Sequence, residues 1–317
     1  MNDMTQKNIA GMSLKGGRKD QFYFCLLEYF DDQDRWFLKS LLRVKDQENK
    51  KEKSGDDVIK SWIEDYQLKE LVVDVPLTYP AYHQQNQENI LEEKEQLIMV
   101  QDLIQELLVE DEKRIHDNPK RYELSRNHDD MVDFSRDVLK VETYDHILSR
   151  SFKRRLKKGF LPYWNRTLDF WVWYYYYDQL LDLFNISFDS FGNVSLMNIF
   201  RFDFLKTHFP KSLLLFESDF YITLIELLRS AVISKKDIFA LYNIEENVEA
   251  RLDIIKKIEA TQKIFIYDEE LEVLCKNPRA FESFILALSG QCIQLGRTRT
   301  LPDWTMPLKT RFVVPSF

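Results

Sequence analysis

The fold is decided by residues 8–44, which read NIAGMSLKGGRKDQFYFCLLEYFDDQDRWFLKSLLRV. This stretch contains three apolar runs, at 8–14, 21–30 and 35–44. Their aromatic, β-branched and long aliphatic side chains are typical of buried strands. The pair Gly16-Gly17 and the polar segment DDQD divide the runs where hairpin turns would fall. The pattern predicts three strands in succession at the start of the domain.

The following residues extend the pattern to β-β-β-α-β. Lysines dominate 45–55, which predicts a loop, and Asp56 or Asp57 is placed to cap a helix. The apolar face of that helix would consist of Val58, Ile59, Trp62, Ile63 and Tyr66. The segment LVVDVP at 71–76 is too short and too β-branched for a helix, so it predicts a strand that ends near Asp74.

Helical spacing dominates the middle of the chain. Apolar residues recur at helical intervals after residue 90, with Glu and Gln between them, and we expect a mainly helical insertion over 85–210. The strand pattern returns in LLLFE at 213–217, and helical patterns follow at 219–230 and 245–260. A last helix is predicted to begin with Asn277 as N-cap and Pro278 as its first residue.

Composition excludes several classes of protein. The chain has 317 residues, 44% of them apolar, with few Gly and Pro and only three scattered cysteines. This excludes a fibrous or disordered protein and favours neither a disulfide framework nor a clustered zinc site. Neither a run of 18 apolar residues nor a secretory signal is visible, so we expect a cytoplasmic protein without a membrane partner.

The net charge of −8 is unevenly distributed along the sequence. Residues 85–150 contain 17 acidic and 9 basic side chains, which accounts for the whole excess. Seven basic residues with no acid among them follow in 150–168. The acidic segment is a candidate docking surface for a protein partner, and the basic segment a candidate contact for a phosphate backbone.

Three carboxylates stand at the ends of predicted elements. Asp74 and Glu217 end buried strands, and Glu282 lies in the opening turns of the last helix. A carboxylate buried at a strand end is costly unless it is hydrogen-bonded or bound to a cation. Brought together, the three could hold Mg²⁺ or Mn²⁺, and two such ions can drive phosphodiester hydrolysis. The alternative is that each acid is an isolated cap or a solvated side chain.

Five segments resemble, in order, the blocks of the predicted nucleases with a ribonuclease H-like fold known as domain-of-unknown-function family 429. They are IAGMSLKGGRKD at 9–20, LVVDVPLTYP at 71–80, LLLFESDF at 213–220, PRAFESFILALSGQCIQLGR at 278–297 and RFVVP at 311–315. The resemblance implies an α/β fold, a ribonuclease H-like mixed sheet with a large mainly helical insertion. Its core would be 1–84 and 211–317, and its insertion 85–210. It also implies a metal-dependent nuclease with catalytic metal ligands at Asp74, Glu217 and Glu282.

Among the departures from the family pattern, the one at the end of the first strand matters most. The first strand of the family ends in an acid that usually bridges both metal ions, and this chain has Ser13 there. Asp20 is the nearest acid, across the Gly16-Gly17 pair. The departure leaves two expectations open: a weakened nuclease, or a catalytically inactive module that binds nucleic acid or protein on the same fold.

Two further clusters could bind nucleic acid. Clustered cations release counterions from phosphates, and aromatic rings stack on bases. The aromatic cluster is FWVWYYYY at 170–177, whose alternative is a packed core. The candidate basic residues, whose alternative is a solvated helix face, are Lys153, Arg154, Arg155, Lys157 and Lys158.

Overall fold

The computed structural model describes residues 7–14, 22–51, 54–79, 166–186, 194–243, 245–299 and 311–317, with a few positions between 102 and 119. In these residues the fold is α/β, built on a mixed six-stranded sheet. The strands are β1 (Lys7–Met12), β2 (Tyr23–Phe30), β3 (Arg35–Arg43), β4 (Glu70–Val73), β5 (Leu214–Glu217) and β6 (Ile264–Phe265).

The sheet order is β5-β4-β1-β2-β3-β6. Strands β1, β2 and β3 pair antiparallel, as the three apolar runs of 8–44 predicted. Strand β4 returns parallel to β1, and β5 adds parallel to β4. Parallel neighbours need a crossover connection, and the carboxyl ends of β1, β4 and β5 therefore meet at one edge of the sheet.

Nine helices whose bounds the structure describes accompany the sheet. They are α1 (Val44–Lys51), α2 (Gly55–Asp65), α3 (Thr167–Phe184), α4 (Leu196–Lys206), α5 (Phe220–Arg229), α6 (Lys235–Tyr242), α7 (Asn247–Gln262), α8 (Asp268–Lys276) and α9 (Pro278–Gln294). Helix α9 begins as predicted, because the Asn277 side chain accepts the N–H groups of Arg279 and Ala280 and Pro278 occupies the first turn. No helix of this described part is long and apolar enough to cross a membrane.

Two sequence predictions for residues 45–57 are wrong. The lysine-rich stretch predicted as a loop contains α1, which holds no Gly or Pro and is rich in Lys, Gln and Glu, all good helix formers. Its first residue, Val44, is buried and donates its N–H to the carbonyl of Phe22. Helix α2 is capped by Ser54 rather than by Asp56 or Asp57, since Ser54 Oγ accepts the N–H of Asp57.

The chain divides into two compact units. The first comprises Met1–Leu77, Val194–Arg299 and Thr310–Phe317, and the second comprises Thr78–Asn193 and Thr300–Lys309. The whole sheet belongs to the first unit, as does helix α4, although α4 falls within the range 85–210 given to the insertion. Helix α3 belongs to the second unit.

Alternation along β1 directs side chains to opposite faces of the sheet. Residues 9, 11 and 13 face helix α9, and Met12 faces the other side together with its partner Phe24 on β2. The ring of Phe24 lies 5.3 Å from that of Trp62 on helix α2. Helices α9 and α2 therefore cover opposite faces of the sheet. Only the odd-numbered positions at the end of β1 face α9.

Glycine at two positions allows β1 and α9 to approach each other closely. A Cβ atom at Gly11 would lie 2.3 Å from both the Ala287 nitrogen and the Ser283 oxygen. On the helix, a Cβ atom at Gly290 would lie 2.2 Å from Cδ1 of Ile9. At Gly11 the strand thus touches the backbone of α9, and at Gly290 the helix touches the side chain of Ile9.

Residues 311–317 complete the edge of the sheet beside β5. The N–H of Glu217 donates to the carbonyl of Arg311, and the N–H of Val313 donates back to the carbonyl of Glu217. The N–H of Arg299 donates to the carbonyl of Val314, and the Arg299 side chain pairs with the fully buried Glu226 on α5. This segment therefore covers an edge that would otherwise expose unpaired backbone groups.

We predict that Gly11→Ala strongly destabilises the fold. The added methyl group would meet backbone atoms of α9, which cannot move unless the helix shifts. Overpacking commonly costs about 1–3 kcal/mol, and with rigid neighbours we expect the upper end or more. Urea unfolding followed by circular dichroism measures the loss.

Gly296→Ala is the matched control. Nothing lies within 4 Å of a Cβ atom there, but the φ of +65° would strain any L-residue by about 1–2 kcal/mol. Equal losses of stability for the two variants would show that the close approach of β1 and α9 does not make Gly11 less tolerant of a side chain than Gly296.

Candidate functional site

The candidate site lies where β1, β4 and β5 end. Ser13 follows β1, Asp74 follows β4, and Glu217 is the last residue of β5. Val73 is paired with Met12 on one side and with Glu217 on the other, so the three strand ends are in register. In α/β sheets, ligands bind outside the carboxyl ends of parallel strands. The topology therefore places the predicted strand-end acids at the edge where a site is expected.

Ser13 joins two of the predicted acids. Its Oγ lies 2.7 Å from Oδ2 of Asp74 and 2.9 Å from Oε2 of Glu282. Those two carboxylate oxygens are consequently within about 6 Å of each other. Ser13 and Asp74 are almost fully buried, and Glu282 is partly exposed. The structure thus brings Asp74 and Glu282 together, with a neutral hydroxyl between them.

Backbone and side-chain donors fix this hydroxyl and its partner. The N–H of Leu14 donates to Oδ1 of Asp74 at 2.6 Å, so both oxygens of that carboxylate accept hydrogen bonds. The N–H of Ser13 donates to Oγ of Ser283, whose own hydroxyl lies 2.9 Å from the carbonyl oxygen of Tyr23. These bonds tie the end of β1 to β4 and to helix α9.

Arg279 places a positive charge beside Glu282. Its Nη1 donates to Oε2 of Glu282 at 2.6 Å, the same oxygen that Ser13 contacts. Burial raises the pKa of Glu282, Arg279 opposes that change, and the Asp74 anion adds to it. The net effect is a raised pKa, because burial disfavours the charged carboxylate more than the guanidinium favours it.

The proton count of the cluster follows from the chemistry of a hydroxyl. Ser13 carries one hydroxyl proton and donates to one acceptor at a time. It lies within hydrogen-bonding distance of two carboxylates, so it donates its proton to only one of them at a time. Of these two groups, Glu282 has its pKa raised, mainly by burial.

Glu217, the third predicted acid, is buried and engaged differently. Its Oε2 accepts the N–H of Leu77 at 3.1 Å, in the loop that follows β4. Its backbone bonds to Arg311 and Val313 in the segment that borders β5. Glu217 thus links β5, the loop after β4 and residues 311–317.

The residues present do not fit the Mg²⁺ or Mn²⁺ that the resemblance implies. A divalent cation needs several free carboxylate oxygens, whereas here Asp74 and Glu282 are bridged by Ser13 and Glu282 also pairs with Arg279. Within the described residues, no group of three or more His, Cys, Asp or Glu side chains is arranged to hold a metal ion. Asp20, which could have replaced the missing acid, lies outside that part of the chain.

The nucleic-acid candidates are only partly described. The basic residues Lys153, Arg154, Arg155, Lys157 and Lys158 lie outside the described residues, and their role stays a prediction. Of the aromatic cluster on α3, Trp173 and Tyr176 are each only 1% exposed, which places these two rings in a core rather than on a base-stacking surface.

The last cation of the basic stretch, Arg166, has a structural role. It is buried, and its guanidinium pairs with Asp169 while its backbone N–H donates to the same carboxylate at the start of α3. Its Nη1 also contacts Oγ1 of Thr78. Arg166 therefore stabilises the start of the helix and is not available to a phosphate.

Sequence reasoning missed Arg279 and the two backbone donors, Leu14 and Leu77. Arg279 could have been found, because it stands three residues before Glu282 on a predicted helix, a spacing at which opposite charges meet. The N–H groups could not, since any residue type provides them and only the course of the chain decides where they point.

We predict that Glu282→Gln stabilises the protein at neutral pH. A carboxyl whose folded pKa is raised favours folding below its unfolded value of 4.5. That contribution is lost as the pH rises through the folded pKa. The amide mimics the protonated form, so the advantage of the variant should grow from about pH 4.5 upward and then level off. Unfolding free energies from urea titrations at a series of pH values measure it.

The control is Glu272→Gln on helix α8. The pKa of the exposed Glu272 is lowered by its hydrogen bond and charge pairing with Lys276, so this variant should lose stability above pH 4.5 rather than gain it. If both variants changed stability in the same direction with pH, the raised pKa assigned to Glu282 would be wrong.

Comparison with known proteins adds no relative to this picture. Neither a protein-family model, nor a curated protein, nor a solved structure matches the chain. What the site does must therefore be inferred from its own residues and their geometry.

Proposed function

We propose that this chain is a nuclease-derived protein with a ribonuclease H-like core that does not hydrolyse phosphodiester bonds and acts as a binding module. The sheet supports the fold assignment, because a central β1 pairs antiparallel with β2 and parallel with β4, and β4 with β5. The acids expected from the resemblance fall at the carboxyl edge of those parallel strands.

The hydroxyl bridge of Ser13 carries the proposal. Two-metal hydrolysis requires carboxylates that hold two cations and a water between them. In this chain the central position is held by a neutral hydroxyl, hydrogen-bonded to Asp74 and to Glu282. The cluster is therefore satisfied by internal hydrogen bonds, which gives it a structural role at the junction of β1, β4 and α9.

A metal-dependent nuclease is the second candidate function. It is favoured by the position of Asp74, Glu217 and Glu282, each near the strand-end edge and each matched to an acid of the resembled family. The two candidates differ in a measurable activity.

We predict that the purified 317-residue chain, with Mg²⁺ or Mn²⁺, degrades DNA and RNA no faster than its Asp74→Ala variant. Because both proteins carry the same trace contaminants, a difference between them reports the site itself. Gel assays on single-stranded and duplex substrates provide the measurement. Cleavage by the wild type that is lost in both Asp74→Ala and Glu282→Ala would establish the nuclease and reject the binding module.

The binding partner of the module is proposed from charge. The basic residues of 153–158 favour nucleic acid, and the acidic segment 85–150 favours a protein partner. We propose nucleic acid as the partner, because this proposal can be tested directly: affinity that depends on contacts between cations and phosphates falls in a characteristic way with salt concentration.

We predict that the chain binds single-stranded or duplex oligonucleotides and that neutralising Lys153, Arg154 and Arg155 to Gln weakens binding. Each lost contact to a duplex phosphate should reduce the slope of log K against log salt by about 0.9. Fluorescence anisotropy at several salt concentrations measures the slope.

Neutralising the exposed lysines 236, 256 and 276 is the matched control, with the same change in net charge. An equal loss of affinity in both triple variants would reject a specific role for the basic run. Absence of binding by the wild type would leave the protein-interaction module.

A further inference from the structure

We propose that Arg279 is the resident cation of the strand-end cluster, taking the electrostatic place that a metal ion would have in an active nuclease. This inference rests on the proposed function and goes beyond it. It assigns to Arg279 a positive charge that favours the two close acids at the end of β1.

The geometry distinguishes Arg279 from an ordinary surface partner. Oε2 of Glu282 is contacted both by Nη1 of Arg279, at 2.6 Å, and by Oγ of Ser13, at 2.9 Å. The same Oγ lies 2.7 Å from Asp74. The guanidinium thus contacts Glu282 directly and is linked to Asp74 through three successive hydrogen-bonding contacts.

Arg279 and Glu282 differ in how far their side chains are exposed to solvent, as this role requires. The Glu282 side chain is 21% exposed, whereas that of Arg279 is 42% exposed. The carboxylate lies at the buried end of the interaction and the guanidinium at its outer end, where water can hydrate the remaining donors. Arginine suits this position because it keeps its charge at every physiological pH and presents several donors in one plane.

Helix α8 carries a comparison pair. Lys276 and Glu272 form an ion pair four residues apart, and both side chains are more than 60% exposed. No buried acid is linked to them through a hydroxyl among the contacts described for this helix. Exposed pairs of that kind contribute little to stability and are screened by salt. The inference therefore requires Arg279 and Lys276 to behave differently when they are neutralised.

Binding of Mn²⁺ alone to variants of the full chain tests the proposal. Ser13→Asp supplies a third carboxylate, and Arg279→Gln removes the resident cation. We expect no binding of Mn²⁺ to wild type by calorimetry, weak binding to Ser13→Asp, and at least about tenfold tighter binding to the double variant Ser13→Asp/Arg279→Gln. The control Ser13→Asp/Lys276→Gln should bind no more tightly than Ser13→Asp.

The outcomes separate the two proposals. Equal affinity of Ser13→Asp and Ser13→Asp/Arg279→Gln would overturn the role of Arg279 and leave the proposed function intact. Tight binding of Mn²⁺ to wild type that is lost in Asp74→Ala would overturn the proposed function itself. An equal gain in Mn²⁺ affinity for the Arg279 and Lys276 double variants would show that general surface charge causes the gain, and it would overturn the inference.

A stability measurement keeps the inference testable if Ser13→Asp does not fold. Arg279→Gln should lower the folding equilibrium constant about threefold in the wild-type background and leave it almost unchanged in Glu282→Gln, because its charged partner is then absent. Lys276→Gln should have the same small effect in both backgrounds. Equal effects of Arg279→Gln in the two backgrounds would overturn the inference.

Discussion

The architecture of the strand-end cluster depends on the close approach of helix α9 to strand β1. Gly11 and Gly290 allow the two backbones to touch, because a side chain at either position would collide with the other element. The contact sets the height of α9 above the sheet. Two residues beyond Gly11 on the same face of the strand, Ser13 is then within hydrogen-bonding reach of Glu282. The site follows from a packing constraint in the core.

Hydrogen bonds and one ion pair hold the resulting cluster together. Asp74 accepts from a backbone N–H and lies within hydrogen-bonding distance of a hydroxyl, and Glu282 lies within the same distance of that hydroxyl and accepts from a guanidinium. A lone buried charge would be costly, and a satisfied network removes that cost while fixing the geometry. The same positions that suggest hydrolysis in the sequence therefore hold three elements of the fold together. A neutral residue at the end of β1 lies between the two acids and contacts both of them.

Local signals in the sequence predicted most of the sheet and the last helix. The runs of 8–44 and the segment LVVDVP have the short, apolar composition of strands, and Asn277 with Pro278 marks a helix start by chemistry that needs no tertiary context. The loop expected at 45–55 was wrong, because its lysines favour a helix once Val44 is anchored against β2. These local signals could not predict which strands pair when the strands are far apart in the chain.

The candidate site was predictable in part. The acids could be selected as buried side chains at the ends of elements, and Asp74 and Glu282 do meet. The engagement of Glu217 with a backbone N–H could not be foreseen, because it depends on the path of the loop after β4. Arg279 could have been predicted as well, because it stands three residues before Glu282 on the predicted helix.

The distance in sequence between β1 and α9 has a consequence for how the chain reaches its fold. The N–H of Ser13 finds its partner on Ser283, 270 residues later, and β5 is completed by residues 311–317. A central strand whose neighbours are so remote gives a high contact order, and we expect slow folding for that reason. During synthesis, the first three strands must wait as an incomplete sheet until α9 has emerged from the ribosome. In that interval the apolar face of β1 is a target for chaperones and for aggregation.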